Sequence, residues 1–162
     1  MAAWTQEEWE MMTEDERNEP VPMFRVRQNM IGPVYRGQWL YPSTIARLEI
    51  DPKDSEKARR QLENNQFIAN VHLLTVPDEI DVTDIFLAGE KTALPTLGQH
   101  RIPLDGGQPA LYFDFEFTHL MVNRTGTFKL RINLFRASSN HQSEKFIAWA
   151  DGRTFTCWPF VE

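Results

Sequence analysis

From Phe24 onward the chain is written in short runs where apolar and polar side chains alternate, the period of a half-buried β-strand. Phe24-Arg25-Val26-Arg27-Gln28 is the first. Thr44 to Ile50 and Phe67 to Thr75 follow, then Tyr112-Phe113-Asp114-Phe115-Glu116-Phe117, with aromatics inward and acids outward. A strict alternation from Thr127 to Phe135 comes next, and Lys145–Trp149 and Arg153–Trp158 supply two more strands. Between them stand turn signals: Gly32-Pro33, Arg36-Gly37, Gly106-Gly107, Thr125-Gly126 and the polar stretch Ser138 to Glu144. The segment 77–109 reads as loop-rich, with a short strand near Ile85–Leu87. One stretch breaks the β pattern: Asp51-Pro52-Lys53-Asp54-Ser55 opens a helix through about Asn64, with Glu56 and Arg60 spaced for an i,i+4 ion pair. Seven or eight short strands with one lateral helix predict a mainly β fold, a sandwich of two antiparallel sheets. The Cys…Trp…Cys pattern of antibody domains is absent, so an immunoglobulin likeness is one of architecture.

Length and charge refine this picture. At 162 residues with 41% apolar side chains, the chain has the size and composition of one globular domain. Its net charge of -6 is unevenly placed: residues 1–19 carry seven acids and one base, leaving residues 20–162 with equal numbers of each. Residues 1–22 are therefore read as an acidic extension, helical from Trp4 to Arg17, ending in the linker Glu19-Pro20-Val21-Pro22. Trp4, Trp9, Met11 and Met12 give that helix an apolar strip. The domain proper is read as 23–162. With no apolar run long enough to span a bilayer, no export signal and a single cysteine, Cys157, a reducing compartment is expected, in the nucleus or cytoplasm.

Catalytic signatures are missing. The chain has no P-loop, no G-x-G-x-x-G, no H-E-x-x-H and no G-x-S-x-G. His72, His100, His119 and His141 have no Cys or His partner at ligand spacing, so neither a metal nor another cofactor is expected. Asp114 and Glu116 share one strand face, where alternating acids serve solubility, and Cys157 reads as a buried structural thiol. The expectation is a protein that acts by binding. Basic residues are the more informative feature. Residues 24–60 carry eight bases against four acids, and residues 119–153 carry six against two. Arg25 with Arg27, and Lys129 with Arg131, are two apart on strands and so share a face, a pattern that suits phosphate.

The order of these segments resembles the velvet family of fungal regulators. Phe24-Arg25-Val26-Arg27-Gln28-Asn29 resembles the family's opening strand, and Arg36 to Pro42 followed by Ile45 to Ile50 resembles its proline-containing stretch and next strand. Leu111 to Phe117, then Leu120 to Phe135 with Gly126-Thr127-Phe128-Lys129-Leu130-Arg131-Ile132, is similar to its aromatic strand and the G-[TR]-[FY]-[RK]-L-[RK] strand after it. Asp151 to Thr156 resembles the closing strand, so the likeness covers about residues 23–160. It implies a sandwich related to Rel-homology and immunoglobulin-like folds. It also implies homo- or heterodimers with other velvet-domain proteins, association with a methyltransferase-like regulator, double-stranded DNA binding in the nucleus, and control of development, sporulation and secondary metabolism. Carried over by position, the DNA contacts are Arg25, Arg27 and Arg36, then Arg124 and Lys129. The sequence also departs from the family: the loop from Asn29 to Trp39 has only Arg36 as a base, and Tyr41-Pro42-Ser43-Thr44 replaces a proline-rich run. Asn123 stands where an arginine is expected before Gly126. Fewer phosphate contacts favour help from a more basic partner. Two other readings keep the fold: an interaction subunit that does not bind DNA, and a carbohydrate-binding sandwich using Trp39, Trp149 or Trp158 as a stacking platform.

Overall fold

The computed structural model describes residues 23–64, 66–137 and 144–159. The expected N-terminal helix, its linker and the polar turn at 138–143 lie outside the described residues. In chain order the first strands are β1 (Phe24–Gln28), β2 (Val34–Tyr35), β3 (Thr44–Ile50), β4 (Phe67–Thr75), β5 (Leu87–Ala88) and β6 (Thr92–Ala93). The remainder are β7 (Thr96–Gln99), β8 (Leu111–Phe117), β9 (Met121–Val122), β10 (Gly126–Ala137), β11 (Glu144–Asp151) and β12 (Phe155–Trp158). Helix α1 (Ser55–Glu63) follows a 3-10 turn over Pro52–Asp54, and α2 (Thr83–Phe86) is a single turn.

Two sheets form the sandwich. One runs β1-β3-β8-β7 and the other β2-β12-β10-β4-β6, with β11 also on β10. These orders match the immunoglobulin arrangement A-B-E-D against G-F-C-C′, with β11 and β12 together forming the last strand. All pairings are antiparallel except β2 on β12, which is parallel. The chain thus leaves the first sheet after β1 and joins the second at β2.

Period-2 patterning supplies the core. Phe113, Phe115 and Phe117 on β8 face Val71, Leu73, Leu130, Ile132 and Leu134 of the opposite sheet, all at most 2% exposed. Each such side chain contributes about 1.5–3 kcal/mol on burial. No disulfide pins the sheets, and Cys157 is a free, buried thiol in this same core. Burial pushes that thiol up from its ordinary pKa, against a weaker opposing pull from Arg36. Helix α1 buries only Ala58 and leans Leu62 on the core, a lateral position as expected. Its Glu56 and Arg60 are both exposed, and the ion pair expected between them does not form.

The strand expected near Ile85–Leu87 is instead mostly the turn of α2, with only Leu87 entering β5. Asp81 causes this. Its Oδ1 accepts from the Thr83 amide at 3.0 Å and from the Thr83 hydroxyl at 2.5 Å. Thr83 Oγ1 in turn accepts from the Leu73 amide at 2.8 Å, so the turn is nailed to β4. An Asp-x-Thr local bond of this kind competes successfully with strand formation. The segment 77–109 also holds a strand the alternation does not announce, β7, which adds an edge to the first sheet. Among the described residues no helix is long and apolar enough to cross a membrane.

Candidate nucleic-acid interface

Strand β1 presents the first two arginines. Phe24 and Val26 pack on the core while Arg25 and Arg27 are exposed. Val26 pairs with Ala46 and Gln28 with Ile45, so Arg27 is the extra residue of a β-bulge. Bulges bend a strand and re-aim the side chain they carry. Gln28 fixes the strand beyond it by donating from Nε2 to the Ser43 carbonyl at 2.9 Å. Arg25 lies 3.9 Å from Glu49, whose other oxygen is 2.7 Å from His100 Nε2. With Arg25 63% exposed, that contact holds it loosely. Arg27 has no carboxylate partner among the described residues.

Arg36 and Arg124 meet at the end of the second sheet. Val34 pairs with Cys157, and Cys157 pairs with Gly126, so β2, β12 and β10 lie side by side at this point. Arg36 follows β2 and Arg124 precedes β10, two strand spacings apart, or about 10 Å at the backbone. Loop hydrogen bonds hold them: the Arg36 amide donates to the Trp158 carbonyl at 2.8 Å, and the Gly37 amide to the Val122 carbonyl at 3.0 Å. Gly37 sits at φ +82°, a conformation that favours glycine. Arg124 lies over the Phe86 ring at 4.9 Å. Arg36 and Arg124 are both exposed, with no carboxylate partner among the described residues.

Lys129 is placed differently. Its side chain is 16% exposed, and Nζ lies 2.5 Å from Glu79 Oε1 and 2.9 Å from Asp151 Oδ2. Arg131 makes a two-pronged contact with the same Asp151 at 2.7 and 2.9 Å and covers the Trp149 ring at 4.3 Å. The basic face expected from Lys129 and Arg131 is therefore neutralised by Glu79, which arrives from the loop after β4, and by Asp151. Burial alone would push the Asp151 carboxyl up, but Arg131 and Lys129 outweigh it and hold it below its ordinary value. A carboxylate so held adds stability above the unfolded-chain value, near 4, and loses it as pH falls through the folded-state value. Asp151→Asn is thus expected to flatten the decline of the urea midpoint between about pH 5 and pH 3. Parallel curves for the two proteins would contradict this cluster.

Asp114 and Glu116, expected to be solvated, are engaged. Asp114 makes a two-pronged bond with Arg47 at 2.8 and 3.0 Å, and Glu116 accepts from the Ser43 hydroxyl. Arg47, only 8% exposed, also lies 3.5 Å over the Tyr112 ring. The three tryptophans considered as a platform sit in different surroundings. Trp149 lies under Arg131, Trp39 meets His119 edge-on at 5.6 Å, and Trp158 lines a groove beside Arg153. Among the described residues no group of three His, Cys, Asp or Glu is placed to hold a metal ion.

No protein-family model and no curated protein matches the chain. Among solved structures it is similar to a chain of the AAF fimbriae of enteroaggregative Escherichia coli, studied for fibronectin binding and biofilm formation. That similarity is 13% identity and a TM-score of 0.31 over 84% of this chain and 98% of that one. A likeness at that level carries no functional argument.

The site residues named by sequence thus separate into groups. Arg25 and Arg27 lie together on β1, Arg36 and Arg124 lie together at the end of the second sheet, and Lys129 is committed to acids. Arg153 was missed. It lies in the break between β11 and β12 and donates from Nη2 to the Met30 carbonyl at 3.2 Å, tying the loop between β1 and β2 to the last strand. The only signal for it was the loss of alternation at Gly152.

Proposed function

We propose that this chain is a velvet-type regulator that binds double-stranded DNA through the exposed arginines of β1 and of the end of the second sheet. The observation that carries the reading is that Arg27 on β1, and Arg36 and Arg124 at the end of the second sheet, are exposed guanidiniums with no carboxylate partner among the described residues, whereas the Lys129–Arg131 face is neutralised. Phosphate contacts need such free cations, since affinity comes from displacing counterions. Arg25, loosely held by Glu49, stands beside Arg27 on β1. The reading gives no contact to Lys129. The order of segments resembling the velvet family supports the same role in a homo- or heterodimer, with a more basic partner adding contacts.

A gel mobility shift on duplex DNA tests this. Arg27→Glu with Arg36→Glu is expected to weaken binding roughly 10- to 100-fold. Lys129→Ala is expected to leave it near the parent value while lowering stability. Retained binding by the double variant, or equal loss in Lys129→Ala, would overturn the assignment.

A further inference from the structure

The last strand of the second sheet is interrupted. Strand β10 pairs with β12 up to Phe128↔Phe155 and with β11 from Arg131↔Asp151. Gly152, Arg153 and Thr154 therefore stand opposite only Lys129 and Leu130, an excess of one residue on the outer strand. This bulge is anchored on both sides. The Gly152 amide donates to the Leu130 carbonyl at 2.8 Å, and the Asn29 side chain presses on Gly152 so closely that a Cβ there would meet its amide nitrogen at 2.9 Å. Arg153 crosses to the Met30 carbonyl. Between the bulge and the 29–33 loop lies an open groove of about 370 Å³. Arg153, Thr154, Thr156, Trp158, Met30 and Pro33 line it, and the Trp158 carbonyl accepts from the Arg36 amide.

That lining has two halves with different chemistry. Arg153 offers a guanidinium and the two threonines offer hydroxyls, a set suited to a phosphodiester. Trp158 is 53% exposed, an indole face with no ring partner among the described residues. Aromatic faces beside a cationic groove are how proteins hold unpaired nucleotides, because every base has a face to stack. We infer that this groove seats an unpaired nucleotide of a nucleic-acid strand, its base on Trp158 and its phosphate on Arg153 and Thr154. The inference rests on the nucleic-acid reading above but names a site that duplex binding by Arg27 and Arg36 does not require.

The test is fluorescence anisotropy of the full chain with a short labelled oligothymidylate, alongside the same length of duplex. Trp158→Ala is expected to weaken oligothymidylate binding roughly 5- to 100-fold, whereas Trp158→Phe keeps most of it. Thr154→Ala and Arg153→Gln are expected to weaken it as well. The exposed Trp158 and Thr154 variants keep the test valid if loss of the Arg153 tether disturbs the loop. Oligothymidylate bound equally by parent and Trp158→Ala overturns the site. Duplex bound but oligothymidylate not bound also overturns it, and leaves the duplex reading standing. Oligothymidylate bound through Trp158 without duplex binding upholds the groove and removes the duplex reading. Absence of binding to either probe, by folded protein, removes both.

Discussion

Gly89→Ala is expected to lower folding stability by about 3 kcal/mol, a loss large against the total stability of a small domain. Gly89 follows β5 at φ +114°, a backbone conformation that side chains rarely adopt. A Cβ there would run into the backbone carbonyl of His119, just ahead of the β9 strand that pairs with β5. Backbone cannot swing aside as a side-chain tip can, so the two chain segments must separate. Gly106 provides the comparison: its φ is +80°, but a Cβ would meet nothing within 4 Å. Gly106→Ala therefore suffers only the conformational strain, about 1 kcal/mol. Urea unfolding of both variants checks the difference, and equal losses would contradict the close approach of these segments.

Asp114→Ala is expected to cost about 3 kcal/mol, because it leaves the Arg47 guanidinium buried without its carboxylate. The pair joins adjacent strands of the first sheet at a directly opposed register, Arg47↔Asp114. Removing both charges with Arg47→Met and Asp114→Ala is expected to restore part of the loss, since a buried ion pair is harder to break than to replace. A double-mutant cycle by urea denaturation reads the coupling. Additive losses would mean the two side chains act independently.

The strand pattern was legible because alternation is imposed by one dominant cause, a core on one side and water on the other. Thr44–Ile50 and Phe67–Thr75 are bounded in the structure where the alternation bounds them. Helix α1 was equally plain, as its polar run has no strand period. Strands β2, β5, β6 and β9 were not, because two residues each carry no period, and their existence depends on distant partners. The strand expected near Ile85–Leu87 gave way to the turn of α2 because one Asp81–Thr83 contact outweighs the apolar run after it.

Site residues show the same division. That Arg25 and Arg27 are exposed follows from alternation, but the bulge at Arg27 does not, since it is set by the partner strand β3. That Lys129 is neutralised depends on Glu79, fifty residues earlier and at φ +55° in an irregular loop. Arg36 and Arg124 are brought together by β12 lying between their strands and by the Gly37 amide on the Val122 carbonyl, contacts that no local spacing encodes.

The most direct test of the central claim is the salt dependence of duplex DNA binding by the full chain, followed by anisotropy. With Arg27, Arg36 and Arg124 on phosphates, the logarithm of affinity is expected to fall against the logarithm of salt with a slope of about -3. The slope should shrink toward zero in Arg27→Glu with Arg36→Glu. Binding that ignores salt, or a slope unchanged by that substitution, would contradict the assignment of these arginines to DNA.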